Sequence, residues 1–142
     1  MNLKNKVAIV TGSSKGLGVS IVEKLLEQGV FVAGFSRSET KISHPNFISC
    51  QVDISDEKQI ETTLQEVKQK FGSIDIIINN AGFGAYEKVE DLDSDTLRKM
   101  FETNVFGIFY LTKLVVPEMK KAKYGHIVNI SSIAGILSLI HI

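Results

Sequence analysis

The sequence predicts an α/β fold: a three-layer αβα arrangement in which helices cover both faces of a doubly wound parallel sheet of about five strands. Several short segments are almost wholly apolar, which is typical of strands buried on both faces of a parallel sheet. They alternate with stretches in which apolar residues recur at helical spacing. With 142 residues, 44% of them hydrophobic, the chain is expected to form a single domain over residues 1–142.

The first βα unit spans residues 7–18, where an apolar strand runs into a glycine-rich turn and then a helix. This is the sequence form of a dinucleotide-binding, Rossmann-like unit, although a tight loop without a ligand is the alternative. Gly12 would leave the strand with positive φ, Gly16 would let backbone amides approach a pyrophosphate, and Gly18 would let the helix pack close to the sheet. Gly29 would end that helix. Its predicted apolar face comprises Leu17, Ile21, Val22, Leu25 and Leu26.

Four further strands are predicted at residues 30–35, 47–52, 74–79 and 126–131. Turn-like residues fill 36–46, so the second crossover should be short or irregular. An amphipathic helix with Ile60, Leu64, Val67 and Phe71 joins the third and fourth strands. A longer helical stretch at about 94–121, with Asp93 and Ser94 as candidate caps, precedes the fifth. Its apolar residues are Leu97, Phe101, Val105, Ile108 and Leu114.

Composition narrows the class of partner. Sixteen basic residues balance sixteen acidic ones, so no net charge draws the chain to nucleic acid or to a membrane surface. No apolar run approaches the roughly 20 residues of a membrane span, and residues 1–6 lack a signal-peptide core. The single cysteine, Cys50, cannot form an internal disulfide, which favours a reducing cytoplasm. The three histidines lack partners at ligand spacing, so no metal site is predicted.

Polar and small residues follow the third and fourth strands. Asp53 could accept a hydrogen bond from an adenine amino group; a helix N-cap role, which Ser55 or Asp56 could serve instead, is the alternative. Asn80, Ala81 and Gly82 would permit a ribose or nicotinamide to lie against backbone, and an Asn-rich turn is the alternative.

The residues about 20 positions beyond the glycines bear on cofactor choice. Phe35, Ser36 and Arg37 stand there, with no acid for a ribose 2′-hydroxyl. Arg37 and Lys15 could instead clamp a 2′-phosphate, which favours NADP(H) over NAD(H). Two unrelated surface cations are the alternative.

Four motifs occur in one order: TGSSKGLG at 11–18, Asp53, NNAG at 79–82, and Asn104 followed by ISS at 130–132. On these motifs the chain resembles the classical short-chain dehydrogenase/reductase family from residue 6 to about residue 137. The resemblance implies hydride transfer between a nicotinamide cofactor and a carbonyl or alcohol, with a tyrosine as general acid or base and a lysine four residues later. It implies Ser132 as the substrate-binding serine and Asn104 as the residue that orders a proton-relay water; a strand-end turn and a mid-helix kink are the alternatives. The cofactor-binding set is Gly12, Ser14, Lys15, Gly16, Leu17, Gly18, Ser36, Arg37, Asp53, Ile54, Asn80, Ala81 and Gly82.

The family's tyrosine and lysine are expected a dozen residues or more after Ser132, whereas the sequence ends ten residues after it. Tyr110 and Lys113 have the wrong spacing, and Tyr124 precedes the fifth strand. We therefore expect a shortened fold, without the family's later strands, that turns over little. The alternatives are a non-catalytic NADP-binding module and a self-associating structural remnant. An unpaired edge at 126–131, or exchange of the apolar tail at 133–142, predicts a homo-oligomer.

Overall fold

The sheet has five strands, all parallel: β1 (Val7–Thr11), β2 (Phe31–Ser36), β3 (Phe47–Gln51), β4 (Ile76–Asn79) and β5 (His126–Asn129). They lie in the order β3-β2-β1-β4-β5. This arrangement comes from a computed structural model of the chain that describes residues 2–85 and 87–132. The order reverses between β1 and β4, so the chain winds outward in both directions from the centre of the sheet.

Four α-helices connect the strands: α1 (Leu17–Glu27), α2 (Glu57–Phe71), α3 (Ser94–Phe101) and α4 (Gly107–Ala122). A π-helical segment, Glu102–Phe106, joins α3 to α4. No helix forms in residues 37–46, all of which the structure describes, so the expected irregular crossover is confirmed. The doubly wound, Rossmann-like α/β fold predicted from the sequence is confirmed as well.

Two apolar cores lie on opposite faces of the sheet. On one face α2 and α4 pack against the strands, and the fully buried residues there include Ile60, Val67, Leu111 and Val115. On the other face α1 contributes Val22 and Leu26 against Val10 and Ile78. The predicted three layers follow from these two cores.

Several predicted boundaries and faces were wrong in detail. Val30, Val52 and Ile74 are buried but lie outside the strands, because an apolar run extends beyond the residues that join the ladder. The fifth strand ends at Asn129, although the Ile130 amide still donates to the Asn79 carbonyl. Leu17 does not share the buried face of α1, since 56% of its surface is exposed.

The long helical stretch is interrupted, and its amino-terminal half is exposed. Leu97, Phe101 and Val105 keep 43%, 51% and 49% of their surfaces exposed. Helical spacing predicts that apolar residues share a face, but not that another part of the same chain covers it. No helix among the described residues is long and apolar enough to cross a membrane.

Candidate functional site

A cleft of about 330 Å³ opens where β1, β2 and β4 end. It lies at the carboxyl edge of the sheet, at the point where the strand order reverses. In open parallel sheets this is where ligands bind. The cleft is lined by the glycine-rich turn, the end of β2, residues 52–54, residues 80–83 and Thr103.

The turn after β1 brings strand and helix into very close contact. Gly12 has a φ of 67°, and its amide donates to the Phe35 carbonyl at 2.8 Å. A Cβ placed on Gly18 would lie 2.1 Å from the Gly12 carbonyl oxygen, closer than any side chain allows. The first turn of α1 therefore packs directly on the end of β1, an approach that requires glycine at position 18.

The amino terminus of α1 differs from those of α2 and α3. Asp56 and Asp93 cap α2 and α3 through side-chain hydrogen bonds, and each helix has an acid in its first turn. Gly16 caps α1 with no side-chain bond, and the first turn of α1 has no acid. Ser14, Lys15, Leu17 and Gly18 line the cleft, whereas Gly16 does not. The cleft therefore contains a helix amino terminus whose amides no side chain caps, which suits an anionic group.

Thr11 joins the segments that follow β1 and β4. Its hydroxyl oxygen accepts hydrogen bonds from the backbone amides of Asn80 and Ala81, at 3.0 and 2.9 Å. In return the Asn80 side-chain amide donates to the Thr11 carbonyl at 3.0 Å and to the Gly12 carbonyl at 3.3 Å. No local sequence pattern indicates this role of Thr11, because its contacts involve residues almost seventy positions away.

Asn104 lies within the π-helical segment and holds the residues that follow β4. Its Nδ2 donates to the Phe83 carbonyl at 2.8 Å, and its Oδ1 accepts from the Phe83 amide at 3.1 Å. A Cβ on Gly82 would lie 3.1 Å from that same Oδ1. The Asn104 side chain thus fixes the wall of the cleft formed by residues 81–83, and the π-helical turn places it there.

Asp56, and not Asp53, caps α2, whereas Asp53 lies in the cleft. Asp56 is the N-cap of α2, accepting from the amides of Lys58 and Gln59 at 2.9 and 3.1 Å. Hydrogen bonds from the Gln59 backbone, then the Gln59 side chain, and then the Lys58 backbone hold the pKa of Asp56 below its ordinary value. Asp53 lines the cleft, and its Oδ1 accepts from the amide and hydroxyl of Ser55. Its Oδ2 has no hydrogen-bond partner among the residues described, so it can accept from a ligand.

Lys15 and Arg37 lie at the exposed rim of the cleft, and neither has a salt-bridge partner in residues 2–85 or 87–132. Ser36 also lines the cleft, but its hydroxyl donates to the Ser38 carbonyl and is largely buried.

The remaining sequence-predicted site residues fall into two groups. Ile54, Asn80, Ala81 and Gly82 line the cleft. Ser132 follows β5, is exposed, and does not line it. The structure adds lining residues that sequence reasoning missed, because apolar or loop residues carry no signal of their own: Phe35, Ser38, Val52, Phe83 and Thr103. Among the described residues no three His, Cys, Asp or Glu side chains are grouped for a metal ion.

Comparison with known proteins agrees with this geometry. The family model described as short chain dehydrogenase matches residues 6–142. An uncharacterized oxidoreductase of Schizosaccharomyces pombe is 37% identical over 130 residues, covering 89% of this chain and 44% of the relative. A 3-oxoacyl-[acyl-carrier-protein] reductase of Vibrio cholerae is 35% identical, covering 95% of this chain and 58% of the relative. The crystal structure of a short-chain dehydrogenase from Streptomyces avermitilis superposes with a TM-score of 0.88 at 32% identity, covering 97% of this chain and 53% of that one.

The chain therefore spans about half the length of the relatives it matches. Within that half, the family model covers every motif noted in the sequence, from the glycine-rich turn to the serines after β5. The chain belongs to the short chain dehydrogenase family.

Proposed function

We propose that the cleft binds NADP(H) in preference to NAD(H), and that the protein transfers a hydride between this cofactor and a carbonyl or alcohol substrate. The observation that carries the proposal is the rim of the cleft. Lys15 and Arg37 both line it, and no carboxylate stands at the end of β2 to accept from a ribose 2′-hydroxyl. Two cations without a salt-bridge partner among the described residues favour a 2′-phosphate through charge-assisted hydrogen bonds.

The rest of the cleft fits a dinucleotide. The uncapped amino terminus of α1 offers backbone amides and a positive dipole end to a pyrophosphate. The second carboxylate oxygen of Asp53 could accept from an adenine amino group. Leu17, exposed within the cleft, gives an apolar surface for ring atoms. These features support residues 12, 14–18, 36–37, 53–54 and 80–82 as the cofactor-binding set.

The chemical roles divide between cofactor and chain. The nicotinamide, when bound, supplies or accepts the hydride. Residues 80–83, held by Thr11 and Asn104, would border its ribose, while Ser132 would hold the substrate oxygen near the end of β5. Because the Asn104 amide already bonds both backbone groups of Phe83, we assign it first to positioning, with ordering of a water as a further role.

We further propose that the 142 residues alone bind cofactor but turn over little. None of Tyr86, Tyr110 and Tyr124 is followed four residues later by a lysine. A tyrosine with a pKa near 10 is a weak base at neutral pH without a nearby cation, and a positioned general acid contributes about 10²- to 10⁴-fold.

Competition by adenine nucleotides tests the preference for the 2′-phosphate. Adenosine 2′,5′-bisphosphate and AMP differ only in that group, so displacement of bound NADPH by the two compounds isolates its contribution. We expect the bisphosphate to compete at least tenfold more strongly, in line with one charge-assisted hydrogen bond. Equal competition would contradict the NADP(H) assignment.

We propose self-association through β5 as well. Within the described part of the chain β5 pairs only with β4, and its four residues are exposed. Unpaired strand edges favour pairing with a second copy. The alternative, exchange of the apolar tail, concerns residues 133–142, which lie outside the described residues.

A cytoplasmic location is proposed from the single cysteine. Burial raises the pKa of the Cys50 thiol to about 11, so little thiolate is present at neutral pH. A single, buried thiol cannot form an internal disulfide, which is the bond that an oxidising compartment favours. Fractionation of cells that express the protein would test the location.

A further inference from the structure

We infer that Thr40 is a positioning residue for the 2′-phosphate subsite, and that it acts by linking the glycine-rich turn to the loop that carries Arg37. The inference rests on the proposed NADP(H) preference. Thr40 does not line the cleft, and its side chain is only 3% exposed.

Three buried hydroxyl groups connect the two segments. The Ser13 and Thr40 hydroxyl oxygens are 2.8 Å apart, and those of Thr40 and Ser36 are 3.4 Å apart. The Ser36 hydroxyl donates to the Ser38 carbonyl at 2.5 Å. Ser13 is fully buried and Ser36 is 7% exposed. We call Ser13, Thr40 and Ser36 the hydroxyl chain.

The direction of the hydrogen bonds follows from the number of protons. Each hydroxyl has one, and the Ser36 proton is committed to the Ser38 carbonyl. Ser36 can therefore only accept from Thr40 across the longer contact, and when Thr40 donates to Ser36 it accepts from Ser13. Hydrogen bonds that run in one direction strengthen one another, and removing the central hydroxyl leaves the buried Ser13 hydroxyl without this acceptor and the Ser36 oxygen without this donor.

The hydroxyl chain acts on the backbone of Arg37. The bond from Ser36 to the Ser38 carbonyl spans this residue, so it fixes the peptide groups on either side of it. Beyond the loop, the Thr40 amide donates to the Ser49 hydroxyl on β3 at 2.8 Å. At the other end, Gly34 leaves room for Ser13, since a Cβ there would lie 2.6 Å from the Ser13 hydroxyl oxygen. Lys15 follows Ser13 by two residues, so the hydroxyl chain connects the backbones that carry both cations.

This arrangement predicts an effect on selectivity rather than on dinucleotide binding as a whole. Without the Thr40 hydroxyl, the Arg37 loop loses its side-chain connection to the turn. The backbone hydrogen bond from Gly12 to Phe35, the uncapped end of α1 and Asp53 are unaffected. NADPH, which needs Arg37 in place, should lose affinity, whereas NADH should not.

The test is the ratio of NADPH to NADH dissociation constants in the native protein, Thr40→Val, Thr40→Ser and Ser13→Ala. We expect Thr40→Val and Ser13→Ala each to lower the selectivity about fivefold or more, and Thr40→Ser to stay within about twofold of native, because it keeps the hydroxyl. A purely structural role would weaken both cofactors equally and leave the ratio unchanged. Ser13→Ala decides the matter if Thr40→Val does not fold.

The outcomes separate the inference from the proposed function. A native protein that prefers NADPH and loses the preference in Arg37→Gln, but keeps it in folded Thr40→Val and Ser13→Ala, would overturn the inference alone. A native protein that binds both cofactors equally would overturn both.

Discussion

Arg37 contributes an exposed guanidinium to the rim of the cleft without a salt-bridge partner among the described residues. Its planar group can hold a phosphate through two hydrogen bonds, which a neutral amide cannot do at similar strength. Its effect should therefore depend on one phosphate group of the ligand.

We predict that Arg37→Gln weakens NADPH binding by about 10- to 100-fold and leaves NADH binding within about twofold. The substitution removes a charge-assisted hydrogen bond to the 2′-phosphate, which only NADPH carries. Cofactor fluorescence titrations measure both constants. Arg98→Gln, which changes an arginine on α3 away from the cleft, is the matched control and should behave as native. Equal weakening of both cofactors by Arg37→Gln would contradict the assigned role.

A substitution at Gly18 tests the close contact between α1 and β1. A Cβ at this position would lie 2.1 Å from the Gly12 carbonyl oxygen, so Gly18→Ala must push the helix away. We predict a loss of about 1–3 kcal/mol in the free energy of unfolding, the usual effect of overpacking, together with weaker binding of both cofactors. Urea denaturation measures the first effect. Ser20→Ala, at an exposed position of the same helix, should leave stability within about 0.5 kcal/mol of native.

Some residues at and behind the cleft are predictable from the sequence and others are not. Arg37, Lys15 and Asp53 could be named in advance because charge and position after a strand are visible in the sequence. Thr40 could not, because its hydroxyl acts through Ser13, 27 positions away. The prediction that Leu17 lies on the buried face of α1 is wrong, because Leu17 matches the helical spacing of the buried residues but lines the cleft.

At the scale of elements, the junction of α3 and α4 carries the clearest departure from a regular helix. The π-helical segment directs Asn104 toward the backbone of Phe83 and thereby fixes the wall of the cleft. A regular helix through this stretch satisfies the same spacing of apolar residues, so the sequence pattern predicts one continuous helix. The five strands and the caps at Asp56 and Asp93 were predictable, because caps and apolar runs are local signals.

The Asp56 cap of α2 predicts how the stability of the fold depends on pH. Hydrogen bonds in the folded state hold the pKa of Asp56 below its ordinary value, so its stabilising effect is fully present above the unfolded-state pKa. That contribution is lost as pH falls through the folded-state pKa, below about pH 4. We predict that Asp56→Asn, which keeps a side-chain acceptor but does not titrate, loses less thermal stability than native between pH 5 and about pH 3.

Melting temperatures followed by circular dichroism across this range measure the difference. Asp95→Asn, a change in the first turn of α3 that leaves the α2 cap intact, is the control. A pH dependence of Asp56→Asn equal to that of native would contradict the role of the cap.

In the molecule as a whole, the strand order determines where the cleft lies and which strands form the edges of the sheet. The reversal between β1 and β4 brings the ends of both strands to one cleft, and it leaves β3 and β5 at the two edges. The alternation of strand and helix predicts the parallel sheet and its layers. It does not predict that β5 and the apolar residues of α3 are exposed in the described part of the chain, since the spacing of apolar residues does not indicate which surfaces are covered.

The exposed edge strand β5 predicts self-association, and a charged side chain introduced on this strand should reduce it. Val128 lies on β5 and is 44% exposed. We expect the native 142-residue chain to form dimers or larger species at micromolar concentration, and Val128→Lys to shift it toward monomer, because a charge on an edge strand opposes pairing. Light scattering coupled to size-exclusion chromatography measures the mass. Val89→Lys, at a position that is 87% exposed and outside the sheet, is the control. A native chain that stays monomeric would contradict the proposed edge pairing.

Titration of the purified chain with NADPH and NADH measures whether its cleft is selective for NADP(H). We predict saturable binding of both cofactors, with NADPH bound at least tenfold more tightly because Lys15 and Arg37 contact its 2′-phosphate. Equal affinities would contradict the assignment of the two cations, and an absence of saturable binding would contradict the cleft itself as a dinucleotide site.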